Sequence, residues 1–210
     1  MPKLQIKELF KKAFKTYKLN WKFLTLITLI AWLVRFIPGY LRNLFDNPWI
    51  FYPISIINWL IGIAITLGLT KTILSLIDNQ EKNLKNLYLY TLPLFVPFFL
   101  SSFFYSLITI GGIILLIVPG IIWAIKYQFF GYLIIDQNLK PKQAIKQSGL
   151  ITQNYKLQLF FLMLILGLIN FLGALFSLIG LIFTIPMSLL VMAYTYRQLS
   201  PAKSPTTPAT

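Results

Sequence analysis

The sequence contains no cysteine and no histidine. Disulfides, thiolate nucleophiles and cysteine-based metal sites are therefore excluded. So is every triad or metal centre that needs an imidazole. Carboxylates are almost as scarce, with 5 Asp+Glu against 19 Lys+Arg and a formal net charge of +14. None of the five falls at the centre of an apolar segment: Asp78 and Asp136 stand at segment ends, Asp46 and Glu81 stand in loops, and Glu8 stands in the lysine-rich first 22 residues. Paired-carboxylate acid–base chemistry thus has no residues to build on. The buried Asp, Glu or His typical of a proton-coupled transporter is missing as well. No Walker loop, G-x-S-x-G or H-E-x-x-H motif is present. The sequence therefore predicts neither catalysis nor a bound cofactor or metal.

Charge of either sign is thin, at 11% of residues, where a soluble domain carries about 25%. Apolar residues make up 57%, and mean hydropathy is +0.73. A soluble fold of 210 residues has too little interior to hide so much apolar surface. Lipid as the solvent removes that difficulty. A strongly basic chain can also suit nucleic acid. Here, however, the lysines cluster between apolar runs instead of forming one patch, so nucleic acid is not an expected partner.

The predicted fold class is all-α: a polytopic membrane bundle of six spans preceded by an amphipathic helix. Residues 4–20 place Ile6, Leu9, Phe10, Ala13, Phe14 and Tyr17 at helical spacing. Lys3, Lys7, Lys11, Lys15, Lys18 and Lys22 recur on another face. Such a helix is expected to lie in the headgroup plane, rings toward acyl chains and lysines toward anionic lipid. The alternative is a helix packed on the protein. No A-x-A site follows the first apolar stretch, so the N-terminal segment is expected to be retained.

The expected spans are about 19–41, 50–77, 93–117, 119–136, 157–177 and 180–199. In the first, Lys22 and Arg35 must snorkel from the ends. The charge-free runs 86–125 and 157–196 are each 40 residues, or about 60 Å as helix, twice the bilayer core. Each must fold back as a hairpin. In the first, the reversal lies between Gly111-Gly112 and Pro119-Gly120, with Pro119 favoured in the first turn of the fourth span. The alternative turns at the glycine pair and leaves Pro119 as a kink. In the second, the reversal is expected at 177–180. A polar loop is expected at 78–86. Pro141 can open a short helix through Ser148, ended by Gly149. The tail from 200 onward is too poor in apolar residues to fold and is expected to be disordered.

Orientation follows from the basic residues. With the N-terminus inside, sixteen fall on the inner side: Lys3, Lys7, Lys11, Lys12, Lys15, Lys18, Lys22, Lys71, Lys82, Lys85, Lys140, Lys142, Lys146, Lys156, Arg197 and Lys203. Arg35 and Arg42 fall outside, and Lys126 within a span. That asymmetry satisfies the positive-inside rule and favours an even span count, with both termini cytoplasmic in a plasma or inner membrane.

Lys126 is the most unusual residue. A charge inside a span is costly and usually faces a bundle interior or a water-filled cavity. It is a candidate anion or lipid-phosphate contact, with Gln128, Asp136 and Ser148 as its neighbours in that role. The plainer alternative is a snorkelling or structurally bonded lysine. Asn58, Thr66, Ser101, Ser102, Ser106, Thr109, Asn170 and Thr184 are expected to make mostly helix–helix hydrogen bonds. Ala64-x3-Gly68 and Gly173-x3-Ser177 fit small-x-x-x-small packing.

One stretch resembles a known group. It comprises Val118-Pro119-Gly120-Ile121, a basic residue at Lys126, an acidic one at Asp136, then Ala144, Ser148 and Asn154. The opening Phe10 to Trp21 and the closing Tyr196-Arg197-Gln198-Leu199 extend the likeness. The group is the membrane domain fused to some glycerophosphodiester phosphodiesterases, together with related stand-alone six-helix bacterial membrane proteins. Lys126 stands where the group carries Arg and Asp136 where it carries Glu, which keeps charge but loses a guanidinium fork. The resemblance implies a six-span domain without the catalytic half. Its partners would be anionic lipid headgroups on the cytoplasmic side or another membrane protein, in an envelope-organising role. A small transporter or channel with a polar cavity around Lys126 is the alternative.

Overall fold

The structure, a computed structural model, describes residues 3–43, 47–78, 84–175 and 178–200. Among them every regular element is an α-helix: α1 Ile6–Asn43, α2 Pro48–Ile77, α3 Leu84–Leu115, α4 Ile117–Tyr127, α5 Phe130–Gln137, α6 Pro141–Ile151, α7 Lys156–Leu175 and α8 Leu178–Leu199. Five segments are long and apolar enough to cross a membrane: Tyr52–Ile77, Leu92–Leu115, Ile117–Gln137, Lys156–Leu175 and Gly180–Leu199. The chain is a multi-span membrane protein. Its lipid-type surface supports this. Leu92, Val96, Leu107, Ile110, Phe171 and Leu175 are all more than half exposed, a density of bare apolar side chains that water would not tolerate.

α1 loses helical dihedrals at Asn20 (φ −125°, ψ 18°). The Asn20 amide nitrogen donates to the Thr16 carbonyl at 3.0 Å. That is the carbonyl the Asn20 N–H would take in a continuous helix. The kink separates the lysine-rich part from the apolar part, where the sequence changes character. The lysine-rich part packs on the protein, which is the alternative weighed above. Leu9 and Ala13 are buried, and Ile6, Phe10 and Tyr17 rest on the core. Phe14 remains exposed, as do Lys3, Lys7, Lys11, Lys15, Lys18 and Lys22.

The α3–α4 hairpin turns on one residue. Leu116 is extended (φ −163°, ψ 141°) and α4 follows at once, with Pro119 in its first turn. So tight a reversal forces the backbones together. A Cβ on Gly112 would stand 2.9 Å from the Gly120 Cα, and one on Gly120 would stand 2.7 Å from the Ile113 nitrogen. The second hairpin uses the same device, since a Cβ on Gly180 would collide with the Gly173 carbonyl. α7 ends at Leu175 and α8 begins at Leu178, and residues 176–177 lie outside those described. So do 79–83, although α3 already begins at Leu84, earlier than the expected end of the polar loop. The tail from 201 also lies outside them.

One packing expectation is corrected. A Cβ on Gly68 would meet nothing within 4 Å, so Ala64-x3-Gly68 is not a close crossing. Gly173 is one, against Gly180 and Thr184 of α8, while Ser177 lies outside the described residues. Of the polar span residues, Asn170 bonds across helices, donating to Ser188 Oγ at 3.1 Å. Thr66 and Ser102 instead donate to carbonyls of their own helices, Gly62 and Phe98. The hydroxyls of Ser101 and Thr184 and the Asn58 carbonyl are buried without a partner among the described residues.

Candidate functional site

Three helices end at one place. Asp78 caps α2, Asp136 lies in the last turn of α5, and Arg197 lies in the last turn of α8. Arg197 is held by both carboxylates at once. Its Nε and Nη2 donate to Asp78 at 3.0 and 2.5 Å, and its Nη1 and Nη2 donate to Asp136 at 2.7 and 2.6 Å. Each contact is the two-pronged match that a planar guanidinium makes with a carboxylate. The side chains keep only 14–22% of their accessible surface. The charges also suit the backbone dipoles in part. A cation at a helix carboxyl end is favourable, whereas Asp78 and Asp136 at such ends are not. Without Arg197 both carboxylates would face the negative ends of their own helices. Tyr196 Oη donates a further bond to Asp136 at 2.7 Å. The Tyr196 ring stacks on Tyr132 with centroids 5.2 Å apart. Gln137 closes the group, its amide nitrogen donating to Ser200 Oγ at 3.1 Å.

A second constellation forms at the junction of α4 and α5. The helix breaks after Tyr127, freeing the Lys126 carbonyl and the Phe129 N–H from the ladder. α6 supplies the missing partners. Ser148 Oγ accepts from Phe129 N–H at 3.1 Å and donates to the Lys126 carbonyl at 3.1 Å. Thr152 Oγ1 donates to the same carbonyl at 2.8 Å. An orphaned backbone group would cost about 1–3 kcal/mol here, and more in hydrocarbon. α6 reaches the break because Ala144, Ser148 and Thr152, at four-residue spacing, are all fully buried and small. Gly149 does not end α6, which continues to Ile151. A Cβ there would press on Lys126 Cε at 3.1 Å, so its smallness serves packing, not termination.

The proposed contact residues thus separate. Lys126, Gln128 and Ser148 meet at the break, whereas Asp136 belongs to the Arg197 clamp. Ser148 spends its hydroxyl on backbone. The Lys126 ammonium lies over the Tyr127 ring, 5.0 Å from its centroid. Both amide atoms of Gln128 are buried without a partner.

A cleft of about 290 Å³ opens between α1 and α8, lined by Gln5, Glu8, Leu9, Lys12, Tyr194, Arg197 and Gln198. Tyr194 of its lining also ties α8 to α1, its hydroxyl 2.6 Å from that of Thr16. The Leu4 N–H donates to Gln158 Oε1 of α7 at 2.5 Å. The amino ends of α1 and α7 therefore share the clamp's end of the bundle. Lys126 is not among the residues lining this cleft. Comparison with protein families, with characterised proteins and with solved structures finds no match.

Proposed function

We propose a non-catalytic integral membrane protein of six spans with cytoplasmic termini. In this reading its inner face binds anionic lipid headgroups or a partner membrane protein, in an envelope-organising role at the cell membrane. One observation carries it. At the clamp end the carboxylates Asp78 and Asp136 are spent on Arg197 and Glu8 is the one other described carboxylate, whereas Lys3, Lys7, Lys11, Lys15, Lys18 and Lys22 are exposed and Lys140, Lys142 and Lys146 join them. Cationic charge there is thus largely uncompensated, and each such residue near an anionic bilayer is worth about 1 kcal/mol. The sixth span would be the part of α1 beyond Asn20. The likeness to the phosphodiesterase-associated membrane domain is carried with this reading: Gly120, Ala144 and Ser148 serve close packing, and Asp136 and Arg197 build the clamp.

Changing Lys3, Lys7, Lys11, Lys15, Lys18 and Lys22 together to Gln is expected to abolish enrichment of phosphatidylglycerol over phosphatidylcholine, measured on lipids retained from mixed nanodiscs. The enrichment in the unmodified chain should also fall as salt rises. A chain that shows no such enrichment at low salt ends the lipid reading. The absence of native cysteine makes topology testable by single substitutions. Asn47→Cys should react with an impermeant maleimide from outside the cell, and Lys3→Cys and Gln153→Cys only after permeabilisation. Outside labelling of Lys3→Cys would leave five spans.

A further inference from the structure

We propose that the cleft between α1 and α8 binds a phosphate ester of ethanolamine, the headgroup chemistry of an aminophospholipid. The inference rests on the membrane reading above but not on the lysine face. The cleft departs from its surroundings in charge. The Arg197 guanidinium, which forms one wall, already has both of its forks filled by Asp78 and Asp136, so it offers an incoming phosphate little. The charges left over are Glu8 and Lys12, one of each sign. Among the described residues neither makes an ion pair, with the other or with anything else. They stand one helical turn apart on the same face of α1. A ligand with an ammonium and a phosphate joined by a two-carbon spacer meets both: ammonium on Glu8, phosphate on Lys12.

The remaining lining supports that choice. Gln5 and Gln198, both exposed at the rim, each present a donor and an acceptor to phosphate oxygens or to ammonium hydrogens. A purely anionic headgroup would meet Glu8 as a like charge and is disfavoured. A quaternary ammonium carries no N–H to donate to Glu8, so choline should be the poorer occupant. The location fits a headgroup. α8 contributes Tyr194, Arg197 and Gln198, the last turns of the span Gly180–Leu199, and Leu9 gives the cleft an apolar flank.

The test uses the full chain in nanodiscs holding phosphatidylethanolamine, phosphatidylcholine and phosphatidylglycerol in equal parts, with retained lipid read by native mass spectrometry. The expected result is retention of phosphatidylethanolamine about tenfold above phosphatidylcholine, the step that one well-made polar contact confers. Glu8→Gln should bring the two to parity without lowering phosphatidylglycerol enrichment. Lys12→Gln should lower retention of both ethanolamine and choline lipids. Both positions are exposed, so a melting curve should be unchanged by either substitution. Equal retention of the two zwitterionic lipids by the unmodified chain overturns the proposal, as does a preference that survives Glu8→Gln. Free O-phosphoethanolamine separates the sources: competition shows that the headgroup alone suffices, and a preference it cannot displace assigns the site to the lipid. Because phosphatidylglycerol enrichment is read in the same experiment, failure of the lysine face and failure of this cleft are distinguishable.

Discussion

Replacing Arg197 with Met is expected to cost about 2–4 kcal/mol of stability. Removing one member of a buried ion cluster typically costs 3–5 kcal/mol, and partial exposure of the three side chains discounts that figure. The loss arises less from missing attraction than from what remains. Asp78 and Asp136 would be left as adjacent like charges at the negative ends of α2 and α5. Thermal unfolding of the detergent-solubilised chain checks this, with the monodisperse fraction after heating as a second readout. Arg197→Lys should fall between, because an ammonium cannot fork onto two carboxylates at once. The triple change of Arg197 to Met with Asp78 and Asp136 to Asn should regain part of the loss, since it leaves no unpaired charge. If Arg197→Met alone melts like the unmodified chain, the clamp is not a stabilising element.

Two adjacent glycines should respond in opposite directions. A Cβ on Gly111 would meet open space, whereas one on Gly112 would stand 2.7 Å from Trp123 Cε3 and 2.9 Å from the Gly120 Cα. Gly111→Ala should be neutral or stabilise by up to about 1 kcal/mol, since alanine costs less backbone entropy in a helix. Gly112→Ala should destabilise by about 1–3 kcal/mol by forcing α3 and α4 apart. The same melting experiment reads both. Equal responses would mean that the hairpin does not depend on that crossing.

The sequence made the apolar helices legible because hydropathy acts over twenty residues at a time. The expected 50–77 and 180–199 match the observed Tyr52–Ile77 and Gly180–Leu199 closely. Pro119 entering the first turn of α4 and Pro141 opening α6 were legible from backbone chemistry alone. The break between α4 and α5 was not. Gln128 and Phe129 carry no breaker signal, and the partners that make the break tolerable, Ser148 and Thr152, come from another helix. The clamp was only half legible. Asp78 and Asp136 could be placed at helix ends, but their partner lies 119 and 61 residues further along the chain, a distance over which pattern carries no information. The apolar stripe of the lysine-rich helix was visible too, yet whether lipid or protein would cover it depended on a surface that other helices build. Leu9 and Ala13 are covered by protein.

The order of the clamp's members along the chain has a consequence for synthesis. Asp78 and Asp136 are made, and their helices inserted, before Arg197 exists. During that interval the two acidic ends have only Lys71 of α2 as a nearby cation, and neither carboxylate has its guanidinium partner. Insertion of α8 supplies the cation, and its Tyr194 and Tyr196 engage Thr16 and Asp136 in the same turn or two. The last helix to arrive is therefore the one that fastens the first, the second and the fifth. A chain that stalls before α8 would display an acidic pair without its guanidinium partner to the machinery that recognises unfinished membrane proteins.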